Sequence, residues 1–259
     1  MIKNKFPVKL IFKIQKDLNL LNRECIKKFK FYKSKKKTDV DPVTKQDIKI
    51  EKFLRRSISK LYPNHSILGE ELNEKKKLSK YTWILDPIDG TKNMIMGLPS
   101  WSNLIGLYKE DIPLMGYANF PILKKQYIAF NNKTFLLENK KLSKLNSNKK
   151  ATINNAKLVI NTFHTLKHMK IYKMIKKYNR FFKITGIDAY NFCLIAEGKI
   201  DVLIESGLKM VDIKPLIAII KNSGAIISDW EGKMNFKGGK VLVASNKKLH
   251  NFFLKSINK

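Results

Sequence analysis

The segment Trp83 to Asn93, WILDPIDGTKN, sets two carboxylates, Asp86 and Asp89, three residues apart around Pro87, with Gly90 and Thr91 directly behind. The chain carries a formal net charge of +31 and only 21 acidic residues, so such a pairing stands out. Asp86 closes a short apolar run of strand character. Pro87 fixes its own φ and stiffens the turn, so that Asp89 can come round to the same side. The Ile88 carbonyl can point inward between the two. Two carboxylates and one carbonyl are the oxygen ligands that a hard cation such as Mg²⁺ takes, together with water and substrate phosphate. Gly90 and Thr91 stand where a helix can start, and free N–H groups there suit a phosphate. A plain turn is the competing reading, because Asp, Pro and Gly are all turn formers. Three other acidic features bear on the choice: GEE (Gly69 to Glu71), DPVTKQD (Asp41 to Asp47), and Asp212, which opens a helical stretch. Carboxylates gathered in one place repel each other and need a cation or protons, which favours the metal reading.

The elements that must hold these residues can be read along the chain. Apolar positions at helical spacing, Leu10, Ile11, Ile14, Leu18 and Leu21, predict a helix within 7–33. Lys33 to Lys37 reads as a basic turn, and TDVDPVTKQD as extended, since Pro42 biases Asp41 away from helix. Ile48, Phe53, Leu54, Ile58 and Leu61 predict a second helix ending before Pro63. Between Tyr81 and Tyr127 the segments are short, apolar and split by Gly, Pro and Asp, which are strand signals. The polar stretch 139–151 marks a boundary between an N-terminal α+β half, 1–145, and a C-terminal α/β half, 146–259, packed as one compact unit. Beyond it, strands (KLVI, FFKI, DVLIE, AIISDW, KVLVAS) alternate with helices at 165–178, 189–197, from Val211 to Gly224, and 246–256. Gly224 fits a helix C-terminus.

A length of 259 residues with 44% hydrophobic content supports a sizeable core. No run of about 18 apolar residues marks a membrane span, and the N-terminus reads as an amphipathic helix rather than a signal peptide. Cys25 and Cys193 form neither a disulfide framework nor a metal-ligand spacing, and reduced thiols place the chain in a cytoplasm. The basic excess raises nucleic acid as a partner. Only four of the 52 basic residues are arginine, however: Arg23, Arg55, Arg56 and Arg180. The lysines are spread evenly and lack aromatic interleaving. A solvated lysine surface therefore accounts for the charge better than a nucleic-acid face, and it helps steer small anions. The histidines, His65, His164, His168 and His250, are scattered and read as surface or turn residues.

GEEL, WILDPIDGT and VDIKPLIAIIKNSGAIISDWEG together resemble the inositol monophosphatase family of Mg²⁺-dependent, lithium-sensitive phosphatases. DPVTKQD is similar to the family's upstream Asp-x-Val-Thr-x-x-Asp element, and the motifs keep the family's order over residues 41 to 232. The resemblance implies a layered αβαβα sandwich, an α/β fold of the inositol monophosphatase and fructose-1,6-bisphosphatase type. It implies two or three Mg²⁺ ions held by Glu70, Asp86, the Ile88 carbonyl, Asp89 and Asp212. Glu70 and Thr91 would polarise the attacking water, Asp47 would bond the Thr91 hydroxyl, and Gly90 and Thr91 would hold the phosphate. Glu71 would stand behind the ligands or simply be a surface acid. A homodimer acting on a small phosphorylated metabolite is also implied. The chemistry is coherent, since metals and N–H groups can meet the charge on the phosphoryl oxygens without a covalent phospho-enzyme.

Within the family, TGIDAYNFCLIAEGKIDVLIESGLKMVD and GLPSWSNLIGLYKED look most like the branch that hydrolyses L-histidinol phosphate in histidine biosynthesis. Asp188 stands where inositol-type members carry a small apolar residue, and Glu205 where the family contacts substrate. Carboxylates suit an amine and an imidazole better than neutral inositol. Asp188 also fits a helix N-cap, and Glu205 a strand-end surface acid. Val211, where many inositol-type members have Trp, and the turn Asn222 to Ala225 depart from the inositol pattern. An inositol or broad sugar-phosphate phosphatase is the alternative within the enzyme class. An RNA- or transcription-associated binding protein reusing the fold is the remote one.

Overall fold

The computed structural model describes residues 6–27, 35–38, 41–161, 181–234 and 236–258. The helix expected at 165–178, with His164 and His168, lies outside the described residues. In chain order the elements are α1 (Lys9–Lys27), β1 (Lys35–Thr38), β2 (Asp41–Val43), α2 (Lys45–Leu61), β3 (Ser66–Gly69), β4 (Tyr81–Asp89), α3 (Thr91–Ile95), β5 (Ser102–Lys109), β6 (Ile112–Phe120), β7 (Lys125–Phe130), β8 (Lys133–Glu138) and β9 (Lys141–Leu145). There follow β10 (Leu158–Asn161), β11 (Phe182–Ile184), α4 (Asp188–Ala196), β12 (Val202–Lys209), α5 (Met210–Asn222), β13 (Ile226–Ser228), β14 (Gly238–Ala244) and α6 (Lys247–Ile257).

Strands β3 to β9 form a seven-stranded sheet in sequential order, antiparallel except for the parallel β3–β4 pair. The second sheet runs β11-β10-β12-β14-β13, with β10 parallel to both of its neighbours. Side-chain alternation sorts the core into layers. Trp83, Leu85, Ile105 and Leu107 face α1 and α2 through Leu10, Ile14, Ile50 and Leu54. Leu104, Ala118 and Phe120 face α4 and α5, which also receive Leu203, Val241 and Val243 from the second sheet. Val202, Ile204, Leu242 and Ala244 face α6 through Leu249 and Phe253. The result is the αβαβα sandwich.

The helix α5 presses unusually close to the first sheet. A Cβ at Gly116 would lie 2.4 Å from the Pro215 carbonyl oxygen, and one at Gly106 would lie 3.0 Å from Pro215 Cα. Two glycines on neighbouring strands therefore make the groove into which α5 sinks.

Several local expectations are corrected. Lys35–Lys37, expected within a basic turn, belong to β1, which pairs antiparallel with Asp41–Val43, and α2 begins at Lys45, inside the stretch TDVDPVTKQD expected to be extended, because Thr44 caps it. The boundary stretch 139–151 contains β9, whose polar KLSKL sequence pairs with β8 at the sheet edge, where one row of hydrogen bonds suffices. The strand β8 itself carried no sequence signal that was read. His250 is a buried residue whose Nε2 lies 2.9 Å from Ser228 Oγ, and His65 is half-buried against the Tyr62, Tyr81 and Trp83 rings. No described helix is long and apolar enough to cross a membrane.

Candidate active site

The strand β4 does not stop at Asp86 as the apolar run suggested; it continues through Pro87 to Asp89. Its pairing with β5 shifts there: Asp86 faces Leu104 and Asp89 faces Ser102, so Pro87 and Ile88 together oppose Asn103. This is a β-bulge, a position where proline is tolerated because the ladder is already interrupted. It also solves a geometric problem. Residues three apart on a regular strand face opposite sides, and one extra residue returns Asp89 to the side of Asp86. The Asn103 amide holds the bulge by donating to the Pro87 carbonyl at 2.7 Å.

Glu70 continues β3, its N–H donating to Leu85 O at 3.2 Å, which sets it beside Asp86. Asp212 lies in the first turn of α5 and accepts the Lys209 N–H at 2.7 Å. One carboxylate oxygen from each of Glu70, Asp86 and Asp212 lies within 4.8 Å of the others. Asp89 stands beside this trio and accepts from Ser102 Oγ at 3.1 Å and from the Ala189 N–H at 3.4 Å. Burial first, then the charges of Glu70, Asp89 and Asp212, hold Asp86 well above the usual carboxylate range. Burial, then Asp188 and Asp212, does the same to Asp89. Burial pushes Asp212 up to about 7, against the bond from Lys209. Asp86 Oδ1 is buried without a hydrogen-bond partner. An orphaned carboxylate oxygen in an all-oxygen donor set fits a hard divalent cation such as Mg²⁺. Lys209, which sequence reading passed over among 48 lysines, reaches in to pair with Glu70 at 2.7 Å.

Thr91 opens α3 behind Gly90, whose φ of +76° is a left-handed conformation that favours glycine. The Thr91 hydroxyl lies 2.9 Å from the Ile88 carbonyl and 3.2 Å from Asp47 Oδ1. The other Asp47 oxygen accepts the Thr44 N–H at 2.9 Å and the Thr44 hydroxyl, closing a capping box at the start of α2. One carboxylate thus anchors a helix and fixes Thr91. Burial raises Asp47 to about 6, against its hydrogen bonds.

Asp188 and Glu205 meet on the other side. Asn161, the last residue of β10, and Glu205, midway along β12, are register partners, and alternation from Val159 and Leu203 turns both toward the middle helices. Asn161 Nδ2 donates to Glu205 Oε1 at 2.6 Å and to Asp188 Oδ1 at 3.3 Å. Asp188 does not cap α4: Ile187 occupies the cap without a side-chain bond, and Asp188 has φ +32°. Glu205 is not a surface acid; it is buried, and its Oε2 has no partner. Burial, then Asp188, holds it well above its ordinary value. A Cβ at Gly90 would lie 3.5 Å from Asp188 Oδ2, so the acid pair adjoins the Gly90–Thr91 turn. Sequence reading missed Asn161, which only the β10–β12 register sets beside Glu205.

The family model of the inositol monophosphatase family matches residues 9–259. The chain belongs to the inositol monophosphatase family. Its members are metal-dependent phosphatases of small phosphate monoesters, and the chain is a phosphatase of this class. Over 204 residues it is 35% identical to the chloroplastic bifunctional phosphatase IMPL2 of Arabidopsis thaliana, covering 76% of this chain and 57% of that protein, so it spans little more than half of that relative. It is 27% identical to the histidinol-phosphatase of Mycobacterium tuberculosis, with 86% of each chain covered. The fold matches the extragenic suppressor protein suhB of Bartonella henselae with a TM-score of 0.87 at 19% identity, over 97% of this chain and 98% of that one.

The raised carboxylates carry a pH prediction for the protein freed of metal. Asp47 and Asp212 move from 3.8 to about 6 and about 7, so each binds its proton more tightly folded than unfolded. Folding therefore takes up protons across that window, and stability falls as pH rises through it. The melting temperature of chelator-treated protein is expected to be higher at pH 5.5 than at pH 8, by about 5 °C. Mg²⁺ is expected to restore the loss at pH 8. A flat profile in chelator would remove the strain assigned to the acidic cluster.

Proposed function

We propose that the chain is a Mg²⁺-dependent phosphatase selective for L-histidinol phosphate, releasing L-histidinol and inorganic phosphate. On this reading Glu70, Asp86, Asp89, Asp212 and the Ile88 carbonyl hold Mg²⁺. Bound there, Mg²⁺ supplies Lewis-acid charge to a phosphoryl group and to the water that attacks it. The chain's own residues do the positioning. The proton of the Thr91 hydroxyl is committed to Asp47 or to the Ile88 carbonyl, so the oxygen offers lone pairs and accepts from the attacking water. Glu70 accepts from the same water. The backbone N–H groups of Gly90 and Thr91 bind the phosphate.

The observation that carries the substrate choice is the buried acid pair, Asp188 and Glu205, joined by Asn161 and adjoining the Gly90–Thr91 turn. Two carboxylates, one with an unpartnered buried oxygen, are complementary to a cationic leaving group and poorly matched to a neutral polyol. Histidinol offers an ammonium and an imidazole. Similarity to a histidinol-phosphatase supports the same choice.

Phosphate release from L-histidinol phosphate and myo-inositol 1-phosphate, with and without Mg²⁺, tests the reading. Preference for histidinol phosphate by about 100-fold in kcat/KM is expected from paired charged contacts. Preference for inositol phosphate would discard it. Asp188→Ala is expected to lower kcat/KM for histidinol phosphate by about 30-fold or more, and for a neutral sugar phosphate by about threefold or less. Equal losses on both would remove Asp188 from specificity.

A further inference from the structure

We propose that Glu51 and Arg55 of α2 are a positioning pair that sets Glu70 for cation binding; this rests on the reading that Glu70 is a Mg²⁺ ligand. Glu51 is fully buried in α2, one turn before Arg55. Its Oε1 accepts from Arg55 Nε at 2.7 Å, and its Oε2 accepts the Glu71 N–H at 2.7 Å. Arg55 Nη2 donates to the Leu72 carbonyl at 2.9 Å. The pair therefore grips the chain at the two residues that follow Glu70. On the near side, the Glu70 N–H is tied to Leu85 O. Glu70 is thus pinned between β4 and the pair, and its backbone has little freedom to move relative to Asp86.

Two sequence features support a built clamp rather than an incidental ion pair. A Cβ at Gly69 would lie 2.1 Å from Glu51 Oε1 and 2.9 Å from Arg55 Nη2, so the bare backbone of Gly69 lets the carboxylate reach the next residues. Arginine is also rare here, at four of 52 basic residues, yet this position uses two separate N–H vectors of the guanidinium fork at once. Lysine cannot supply that planar pair of donors. A buried ion pair is a poor device for stability alone, because packed apolar residues do as well or better. Directional hold on a backbone segment is what the pair adds.

The test uses the full chain and its Glu51→Gln, Arg55→Lys and Glu70→Gln variants. Mg²⁺ affinity is read by calorimetry and by the metal-induced rise in melting temperature, alongside kcat and KM. Glu51→Gln and Arg55→Lys are expected to weaken Mg²⁺ about tenfold or more and to lower kcat, as disturbed ligand support does. At saturating Mg²⁺, KM for the phosphate ester is expected to stay within about twofold. A clamp that served stability only would lower every melting temperature and leave the Mg²⁺-induced rise and the Mg²⁺ affinity at parental values; that result overturns the proposal. Should Glu51→Gln not fold, Arg55→Lys keeps charge and bulk and decides alone. If Glu70→Gln weakens Mg²⁺ while the clamp variants do not, the clamp fails and the ligand reading stands. If Glu70→Gln leaves Mg²⁺ affinity unchanged, the ligand reading itself fails.

Discussion

Replacing Asp212 by Asn is expected to cut phosphate release by at least about 10³-fold while leaving the protein folded, because one charged ligand of the cation is lost. The fold has little reason to suffer. The Asn oxygen can still accept the Lys209 N–H that Asp212 accepts at 2.7 Å, so the first turn of α5 keeps its cap bond. Asp212 is also a group whose ionised form the folded chain disfavours, being pushed up to about 7 by burial against its donors. Without metal at pH 8, the neutral variant is expected to melt at least about 2 °C above the parent. Rate loss with a gain in metal-free stability is the signature of a carboxylate kept for chemistry. Asp89→Asn should behave alike in rate, since Ser102 and the Ala189 N–H would still meet an oxygen. Near-parental turnover in either variant would take the acidic cluster out of the mechanism.

The second large effect is on the scaffold. Gly116→Ala places a methyl 2.4 Å from the Pro215 carbonyl oxygen, a backbone atom that cannot rotate away. The helix α5 must then lift from the sheet, at a cost of about 2–3 kcal/mol and a fall in melting temperature of about 5–10 °C. The same helix carries Asp212 in its first turn, so the displacement reaches the acidic trio. The variant is expected to lose about tenfold or more in activity even well below its melting temperature. Thermal denaturation and kinetics at 20 °C would check both parts. A variant as stable and as active as the parent would mean that α5 is not seated by this contact.

Much of the site was legible because its residues are acidic in a lysine-rich chain and cluster in short motifs. Asp86, Asp89 and Thr91 lie within six residues, and Asp47 stood out through the resemblance of DPVTKQD to a family element, whereas its part in the capping box with Thr44 came only from the structure. The periodic segments were legible too, including α1, α2 and the helix that Gly224 ends with a φ of +87°. Polar edge strands were not. The strand β9 reads KLSKL, and nothing in it calls for burial; its place is set by pairing with β8. His250 was misread for a related reason, since only the packing of α6 on the second sheet gives its ring a buried serine partner.

By itself the sequence determined the family, through the motifs GEEL, WILDPIDGT and VDIKPLIAIIKNSGAIISDWEG that resemble it; the layered fold and the candidate carboxylates followed from that resemblance, and only the Asp86–Asp89 pairing stood on local spacing. It did not determine how acids far apart in the chain meet. Only the tertiary structure brought Asp212 to Glu70 and Asp86, and joined Asn161 to both Asp188 and Glu205. It alone showed that a bulge, not a strand end, turns Asp86 and Asp89 to one side. It also showed Glu51 and Arg55 reaching across to the Glu71 and Leu72 backbone. The reason is physical: local propensity acts over a few residues, whereas groups 20 to 139 positions apart are matched by the register of sheets and the seating of helices.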